Sequence, residues 1–241
     1  MSNQKNVKKW YEASYRESGF NAQRHYPNEE LLRFMGRNYF GIPAEQRKDI
    51  HILEVGCGTC ANLWMVAREG FGAYGLDLSD EAIRLGSQML ENQEGVDLRV
   101  GSMTQLPYKD KSFDAVLDVF SAYCLDTEDF RLCLSEVERV LKLDGRFFSY
   151  TPGKASYAFQ HHRPAEMLDS STLDGILRDD SPFAGNYYPF RFVHPEEYRK
   201  MVTSAGLKVS YLETVLRSYF NQRETFEHVV LEAQKRKEKP N

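Results

Sequence analysis

A short apolar run that ends in a pair of glycines most constrains the fold of this chain. Residues 50–55 read Ile-His-Ile-Leu-Glu-Val, and Gly56-Cys57-Gly58 follows them directly. Such a run, bounded by glycines, predicts a buried strand that enters a tight turn. Because residues 61–69 predict a helix, the glycines should lie between the end of a strand and the start of a helix.

Strand and helix signals continue to alternate from residue 50 to residue 150. Further strands are predicted at 73–78, 96–100, 113–119 and 146–150, and further helices from Ser79 to about Asn92 and over 128–142. This alternation predicts a parallel sheet with helices on both faces. In such open sheets ligands bind at the carboxyl ends of the strands, so candidate site residues are judged by that position.

The pattern changes after residue 150 and then returns. Residues 151–193 contain several prolines and glycines with weak periodicity, which predicts an inserted lid. From His194 the sequence predicts a helix to about Ala205, followed by strands at 207–215 and 224–233 that pair antiparallel. We therefore predict a doubly wound, seven-stranded, mostly parallel, Rossmann-like α/β sheet with an antiparallel C-terminal strand pair.

The predicted organisation has five parts. They are an N-terminal covering segment (1–45), an α/β core (46–150), the lid (151–193), the C-terminal part of the core sheet (194–234) and a disordered tail (235–241).

Composition excludes several functional classes. The chain has 31 Lys and Arg against 35 Asp and Glu, which argues against a general nucleic-acid binder. It has no apolar stretch of membrane-spanning length and no apolar signal region at its N-terminus, so we expect neither a membrane span nor secretion. Four cysteines are too few for a disulfide framework, which favours a reducing cytoplasm. We expect no bound metal, and a monomer or homodimer.

Two acidic residues accompany the glycine turn. Glu54 lies two residues before Gly56, and Asp77 lies 21 residues after it, at the end of the second predicted strand. Glycine permits a positive φ and lets a ligand approach the backbone closely. An acid at the end of the second strand can accept hydrogen bonds from both ribose hydroxyls of a nucleoside. Strand, turn, helix, strand and acid in this order predict a site for a nucleoside-containing cofactor.

Five segments, in order, resemble the motifs of class I S-adenosylmethionine (SAM)-dependent methyltransferases. They are Glu54–Thr59 (motif I), Gly75–Ser79 (motif II), 101–108 with 112–117 (motif III and the fourth strand), 138–146 before the fifth strand, and the helix from His194 with the two closing strands. The resemblance covers about residues 50–150 and 194–233. It implies a small-molecule methyltransferase that uses SAM as its cofactor.

The resemblance also implies a role for each residue of the first two motifs. Glu54, Gly56 and the backbone at Cys57 would hold the methionine end of SAM. Asp77 would bind the ribose, and Leu78 would pack on the adenine.

Three further positions would complete the cofactor site in the same way. Ser102 and Met103 would border the adenine, and Asp118, or the carbonyls near it, would face the methionine amino group. The sequence departs from the family pattern at Cys60, where a glycine is usual, and at Ser102, where an acid often binds the adenine amino group. It also has Leu-Asp-Gly at 143–145 in place of Pro-Gly-Gly.

The N-terminal segment is expected to cover the cofactor. Tyr15 lies on a predicted helix with other aromatic residues, and Arg24 follows it. The resemblance implies that Arg24 pairs with the SAM carboxylate and that Tyr15 or Tyr26 caps the site. The alternative is a docking helix whose aromatic residues belong to the core.

Candidates for catalysis lie outside the cofactor motifs. His161 and His162, in the lid, could supply a general base or an anchor for the acceptor, with Tyr123, Asp126 and His194 next in line. The alternative for the histidine pair is that both are solvated loop residues.

The acceptor is expected to be a small polar or anionic molecule. The lid combines aromatic residues with Arg163, Arg178 and Arg191, which suits a sugar, a nucleotide-linked intermediate or an acid. Those aromatic residues could instead simply pack the lid on the sheet. The N-terminal pattern around Arg24 weakly resembles methyltransferases of bacterial surface-polysaccharide pathways. We expect methyl transfer, at oxygen, in that or other secondary biosynthesis.

Two other functions stay open. The glycine turn with Asp77 also fits the fingerprint of an NAD(P)-dependent oxidoreductase. Tyr150 and Lys154 even imitate a Tyr-x-x-x-Lys dyad, although the Pro-Gly between them disfavours the helix that this dyad needs. The departures at Cys60 and Ser102 would also allow a partner subunit that binds SAM without catalysis. The Cys57-x-x-Cys60 pair could be a redox or metal half-site, but no second ligand pair lies at suitable spacing.

Overall fold

A computed structural model of the chain describes residues 2–236, with side chains from residue 4 onward. Its helices are α1 (Ser2–Ser18), α2 (Glu29–Asn38), α3 (Ala44–Arg47), α4 (Ala61–Arg68), α5 (Asp80–Met89), α6 (Thr127–Val140), α7 (Tyr157–Gln160) and α8 (Pro195–Ser204). Its strands are β1 (His51–Val55), β2 (Gly72–Asp77), β3 (Val96–Val100), β4 (Phe113–Val119), β5 (Leu141–Gly153), β6 (Thr172–Leu173), β7 (Phe190–Arg191), β8 (Leu207–Tyr219) and β9 (Glu224–Lys235). Short 3-10 helices cover Gly19–Ala22 and Ala122–Cys124.

Seven of these strands form one sheet in the order β3-β2-β1-β4-β5-β9-β8. The first five are parallel, whereas β9 runs antiparallel to both β5 and β8. The strand order reverses beside β1, which pairs with β2 on one side and β4 on the other. The predicted fold class is therefore confirmed. The crevice at this reversal is where sheets of this kind bind ligands.

Strand lengths differ from the sequence prediction at β5 and β8. Asp144 and Gly145, which precede the strand predicted at 146–150, lie within β5, where the pairing with β4 shifts register and Asp144 adopts a φ of +64°. The strand therefore begins at Leu141, immediately after α6. The edge strand β8 continues to Tyr219 because it pairs with β9 along its whole length. Buried and exposed residues do not alternate regularly along this edge strand, so the sequence pattern did not predict its full length.

Helices cover both faces of the sheet and bury an apolar core on each. Phe34 of α2 and Phe148 of β5 are fully buried on one face, whereas Phe130 of α6 and Phe147 of β5 are fully buried on the other. β5 thus places neighbouring side chains into two different cores. Their combined burial holds the carboxyl ends of β1, β2 and β4 in a fixed relation.

The predicted lid is joined to the sheet at its base. Lys154 N–H donates to the Val193 carbonyl, and Val193 N–H donates to the Pro152 carbonyl, each across 2.9 Å. Within the lid, β6 and β7 form a small antiparallel pair, and Phe190 and Phe192 are fully buried. Phe190 and Phe192 therefore pack the lid on the core of the domain.

The C-terminal strand extends into the predicted tail. Lys235 is the last residue of β9, and its Nζ donates to the Glu138 carbonyl across 2.6 Å. Residues 237–241, the rest of the predicted tail, lie outside the described residues.

In the described part of the chain, no helix combines the length and apolar character that crossing a bilayer requires. Residues 2–236 likewise contain no group of three His, Cys, Asp or Glu side chains placed to hold a metal ion.

Candidate active site

The glycine turn between β1 and α4 adopts conformations that favour glycine. Gly56 and Gly58 have φ values of +67° and +51°. A Cβ on Gly56 would lie 2.4 Å from Ser121 Cβ, and one on Gly58 would lie 2.0 Å from Gln23 Oε1. Cys60 also adopts a left-handed conformation, with a φ of +66°, at the N-cap of α4. The departure from glycine at Cys60 is therefore accommodated by this chain's fold, at the cost of a strained residue.

Asp77 lies at the carboxyl end of β2 and closes the turn. Its Oδ2 accepts a hydrogen bond from Gly58 N–H, and its Oδ1 accepts one from Ser79 N–H, each across 2.9 Å. Desolvation raises the pKa of Asp77, and the N–H groups of Ser79 and Gly58 counteract this by stabilising the carboxylate. Each carboxylate oxygen has a second lone pair that could accept a hydroxyl proton from a ligand.

Glu54 is a buried carboxyl group with an unsatisfied oxygen. It is 2% exposed, and its Oε1 accepts a hydrogen bond from Asn62 Nδ2 across 2.6 Å. Its Oε2 has no hydrogen-bond partner among the described residues. Burial raises the pKa of Glu54 to about 8, against the opposing effects of Asn62 and the nearby Arg24 guanidinium. An unpaired buried acceptor of this kind suits a cationic ligand group such as an ammonium.

Three connected clefts open at the carboxyl ends of the strands. The inner cleft is lined by Tyr15, Gln23, Gly56, Asp77, Leu78 and Met103, among others. The central cleft shares Gln23, Gly56 and Phe120 with it and adds Arg24, Glu54, Cys57, Tyr123, Phe183 and Tyr188, among others. The outer cleft shares Arg24, Phe120 and Phe183 with the central cleft and adds Tyr26, Tyr150, Arg217, Tyr219 and His228, among others.

The clefts bring together most of the predicted cofactor residues. Asp77, Leu78 and Met103 meet Tyr15 in the inner cleft, and Glu54 meets Arg24 in the central cleft, with Gly56 common to both.

Two predicted cofactor residues are held by internal hydrogen bonds instead. Asp118 Oδ1 accepts from the backbone of Ser121 and Ala122, and its Oδ2 accepts from Ser149 Oγ across 2.8 Å. Val119 and Phe120, which follow Asp118 in the chain, line the central cleft.

Ser102, the second of these residues, donates its hydroxyl to Gln4 Oε1 of α1 across 3.0 Å. The bond ties the loop after β3 to the N-terminal helix.

The N-terminal segment lies directly on the glycine turn. Ser79 Oγ, at the N-cap of α5, donates to Glu12 of α1 across 2.9 Å, and Tyr15 is 2% exposed. Gln23, which sequence reasoning missed, donates to Tyr15 Oη and lies against Gly58. An isolated glutamine after a helix carries no sequence signal, because its role depends on where the chain folds back.

Three tyrosine hydroxyls join the lid and the N-terminal helix to the core. The hydroxyls of Tyr11, Tyr123 and Tyr188 form a closed triangle with O–O distances of 2.8, 2.9 and 2.8 Å. Burial raises the pKa of Tyr123 to about 12, so at neutral pH its phenol keeps its proton. This geometry suits a hydrogen-bond donor better than a general base.

The predicted catalytic histidines of the lid do not line any of the three clefts. His161 is exposed and stacks on the Tyr157 ring with centroids 3.9 Å apart. His162 Nδ1 lies 3.0 Å from the Phe159 carbonyl oxygen. The next candidates for a general base lie at the starts of helices. Asp126 caps α6, and His194 lies exposed at the N-cap of α8.

His228, on β9, is the histidine that lines a cleft. It is 3% exposed, its Nδ1 has no hydrogen-bond partner among the described residues, and its ring stacks on Tyr150 with centroids 4.7 Å apart. Burial lowers the pKa of His228 to about 4, so its imidazole is neutral at pH 7. The sequence showed it only as one residue of an alternating strand.

Neither the Tyr-x-x-x-Lys dyad nor the Cys-x-x-Cys pair has the geometry that its chemistry requires. Tyr150 belongs to β5, and Lys154 Nζ binds Glu197 across 2.9 Å, so the pair does not share a helical face. Cys57 and Cys60 are buried free thiols, and the hydrogen bond with Cys60, together with burial, raises the pKa of Cys57. A raised thiol pKa disfavours the thiolate that redox and metal chemistry require.

Comparison with known proteins matches the core of the chain to a family model described as a methyltransferase domain, over residues 53–149. A fatty-acid O-methyltransferase of Mycolicibacterium smegmatis is 34% identical over 133 residues, which are 54% of this chain and 47% of that protein. The chain therefore matches about half the length of this relative. The match confirms the resemblance predicted from the motifs.

Solved structures show the same fold. A SAM-dependent methyltransferase from Methanosarcina mazei superposes with a TM-score of 0.65 at 19% identity, over 78% of this chain and 93% of that one. The Burkholderia thailandensis 1,6-didemethyltoxoflavin-N1-methyltransferase, solved with 1,6-didemethyltoxoflavin and S-adenosylhomocysteine, gives a TM-score of 0.63 at 15% identity, over 98% and 84%.

Proposed function

We propose that this chain, whose core belongs to the class I SAM-dependent methyltransferase superfamily, transfers the methyl group of SAM to a small polar or anionic acceptor. The observation that carries the proposal is the pair of carboxyl groups on either side of the glycine turn. Glu54 presents an unsatisfied buried oxygen to the central cleft, and Asp77 lines the inner cleft at the end of β2.

The residues present fit SAM. Its ammonium would satisfy Glu54 Oε2, and its ribose hydroxyls would donate to Asp77. The absence of a Cβ at Gly56 and Gly58 would let the ligand approach the backbone. Arg24, which has no hydrogen bond or ion pair within residues 2–236, would pair with the carboxylate of the methionine moiety.

The inner cleft would take the nucleoside. Leu78 and Met103 offer apolar contact to an adenine ring, and Tyr15 covers the cleft from α1. Covering the cofactor excludes water, which strengthens the ion pairs that hold it.

SAM supplies a methyl group already activated by a positive sulfonium, so the protein contributes alignment more than chemical activation. Well-oriented intramolecular reactions show that alignment can supply roughly 7–11 kcal/mol of the barrier. Phe120 borders all three clefts and would separate the cofactor from the acceptor space. We propose oxygen as the methylated atom, which is in keeping with the O-methyltransferase relative. We also propose that the enzyme is cytoplasmic and acts in surface-polysaccharide or other secondary biosynthesis.

Ligand-dependent thermal stability tests the cofactor. SAM and S-adenosylhomocysteine, each at 100 times its dissociation constant, should stabilise the protein by about 2.7 kcal/mol, and NAD should leave its Tm unchanged. Stabilisation by NAD alone would contradict the proposal and favour an oxidoreductase.

Single-turnover transfer of a labelled methyl group from SAM to a panel of phenols, sugars and carboxylic acids then tests catalysis. Tight SAM binding with no transfer to any acceptor would instead support a binding subunit.

A further inference from the structure

The lining of the outer cleft does not include Glu54, Gly56 or Asp77, so this cleft is not needed to hold SAM. It continues from the central cleft through Arg24, Phe120 and Phe183, which line both. A molecule in the outer cleft would therefore lie next to the cofactor without overlapping the space that Glu54 and Asp77 border. This position makes it the natural acceptor site, so the inference rests on the proposed function.

Flat rings form the walls of the outer cleft. Phe120 and Phe183 stack with centroids 5.0 Å apart and planes inclined by 28°. Tyr150 and His228 stack with centroids 4.7 Å apart and planes inclined by only 6°. Aromatic faces of this kind favour stacking with a planar ligand ring.

Positive charge lies at the mouth of the outer cleft. Arg24 is exposed and has no ion pair among residues 2–236, and Arg217 has only a long 3.8 Å contact to Glu29, with both side chains largely in solvent. The lining thus holds two guanidinium groups against the single carboxylate of Glu29. Guanidinium groups bind carboxylates through paired, charge-assisted hydrogen bonds.

His228 gives independent evidence for a ligand. Its side chain is almost fully buried in the wall of this cleft, and its Nδ1 has no partner in the described part of the chain. A buried polar atom without a partner is costly unless a ligand or water satisfies it. Because the imidazole is neutral, it adds a hydrogen-bonding group without adding charge to the apolar wall.

We propose that the outer cleft is the acceptor site and that the acceptor is an aromatic carboxylate. Its ring lies between the aromatic walls, its carboxylate pairs with Arg217, and a polar ring substituent faces His228. Arg24 lines both clefts and is assigned to the carboxylate of the cofactor, so Arg217 is the cation that pairs with the acceptor.

Binding of small probes to the protein saturated with S-adenosylhomocysteine tests this proposal. We would measure dissociation constants by ligand-observed NMR for 4-hydroxybenzoate, its neutral amide 4-hydroxybenzamide, the non-aromatic cyclohexanecarboxylate, and phenyl phosphate. We expect 4-hydroxybenzoate to bind about tenfold more tightly than the amide and more tightly than cyclohexanecarboxylate. Equal binding of the acid and the amide, no binding of either, or tighter binding of phenyl phosphate would overturn the assignment to a carboxylate.

Substitutions at Arg217 test whether the preference for the acid over the amide arises in the outer cleft. R217Q should abolish the preference for the acid over the amide, whereas R217K should retain part of it. R223Q is the matched control, because Arg223 is exposed in the β8–β9 turn and lies outside the cleft lining. A preference for the acid that survives in R217Q would refute the site.

The affinity for S-adenosylhomocysteine separates this inference from the proposed function. Arg217 does not line the inner or central cleft, so R217Q should leave that affinity unchanged. Normal cofactor affinity without an anion preference would refute the aromatic carboxylate alone. Failure of S-adenosylhomocysteine to bind the unsubstituted protein would refute the proposed function.

Discussion

Gly58 donates its backbone N–H to Asp77 Oδ2 across 2.9 Å, which ties the turn after β1 to the end of β2. The bond forms because β1 and β2 are neighbouring parallel strands whose carboxyl ends meet at one edge. The same carboxylate that would bind a ribose therefore also fixes the position of the glycine turn.

Replacing Asp77 by alanine should weaken SAM binding by about 1.5–3 kcal/mol, because one charge-assisted acceptor is lost. Isothermal titration calorimetry measures the change. D77N should lose less, since its side-chain oxygen can still accept one of the backbone N–H groups. D49A is the control, because Asp49 is exposed and lines none of the three clefts. Unchanged SAM affinity in D77A would contradict the assigned ribose site.

Gly58 should be much less tolerant of alanine than Gly19. Both adopt a similar positive φ, but a Cβ on Gly19 meets nothing within 4 Å, whereas one on Gly58 meets Gln23. G19A should cost about 1–2 kcal/mol of unfolding free energy from its left-handed backbone alone. G58A should cost about 1 kcal/mol more, because Gln23 must give up its bond to Tyr15. Denaturant unfolding of both variants measures the difference, and equal losses would show that Gln23 moves freely.

The sequence predicts the sheet well because its strands are apolar runs between clear turn residues. Glu54, Gly56 and Asp77 are also predictable, since their order along one β-α-β unit places them at the same edge. Gln23, Arg217 and His228 are not, because each reaches the clefts from an element distant in sequence. The prediction for His161 and His162 rested on the chemistry of histidine alone. The fold of the lid, which the sequence does not show, leaves both side chains outside the lining of the three clefts.

Glu54 should make the stability of the free protein fall as pH rises. Its pKa is about 8 in the folded state, against an ordinary value of 4.5 for an exposed glutamate, so between these values the folded state binds more protons than the unfolded state. The free energy of unfolding should therefore fall between pH 5 and pH 8, by up to about 4 kcal/mol from this group. E54Q should flatten the profile. E91Q, which removes an exposed acid, is the control, and an identical slope in E54Q and the unsubstituted protein would contradict the assignment.

The triangle of Tyr11, Tyr123 and Tyr188 should act as one unit in stability. Removing any one hydroxyl breaks two of the three hydrogen bonds, so each Tyr→Phe variant should lose about 1 kcal/mol. The double variant Y11F/Y123F should lose less than the sum of the two singles, because they share a bond. Y187F is the control, since Tyr187 is 70% exposed beside Tyr188. Strict additivity in the denaturant midpoints would mean that the hydroxyls do not form a ring in solution.

Replacing His161 and His162 together by alanine should leave turnover within about threefold of the unsubstituted enzyme. Neither side chain lines the three clefts, and each already has a local partner in Tyr157 or Phe159. A general base contributes roughly 10²–10⁴-fold, so a catalytic role would be unmistakable. Steady-state kinetics under saturating SAM measure the effect, and thermal unfolding confirms that the lid remains folded. A loss of a hundredfold in kcat with normal SAM affinity would place one of these histidines in the catalytic machinery and require the lid to close over the clefts.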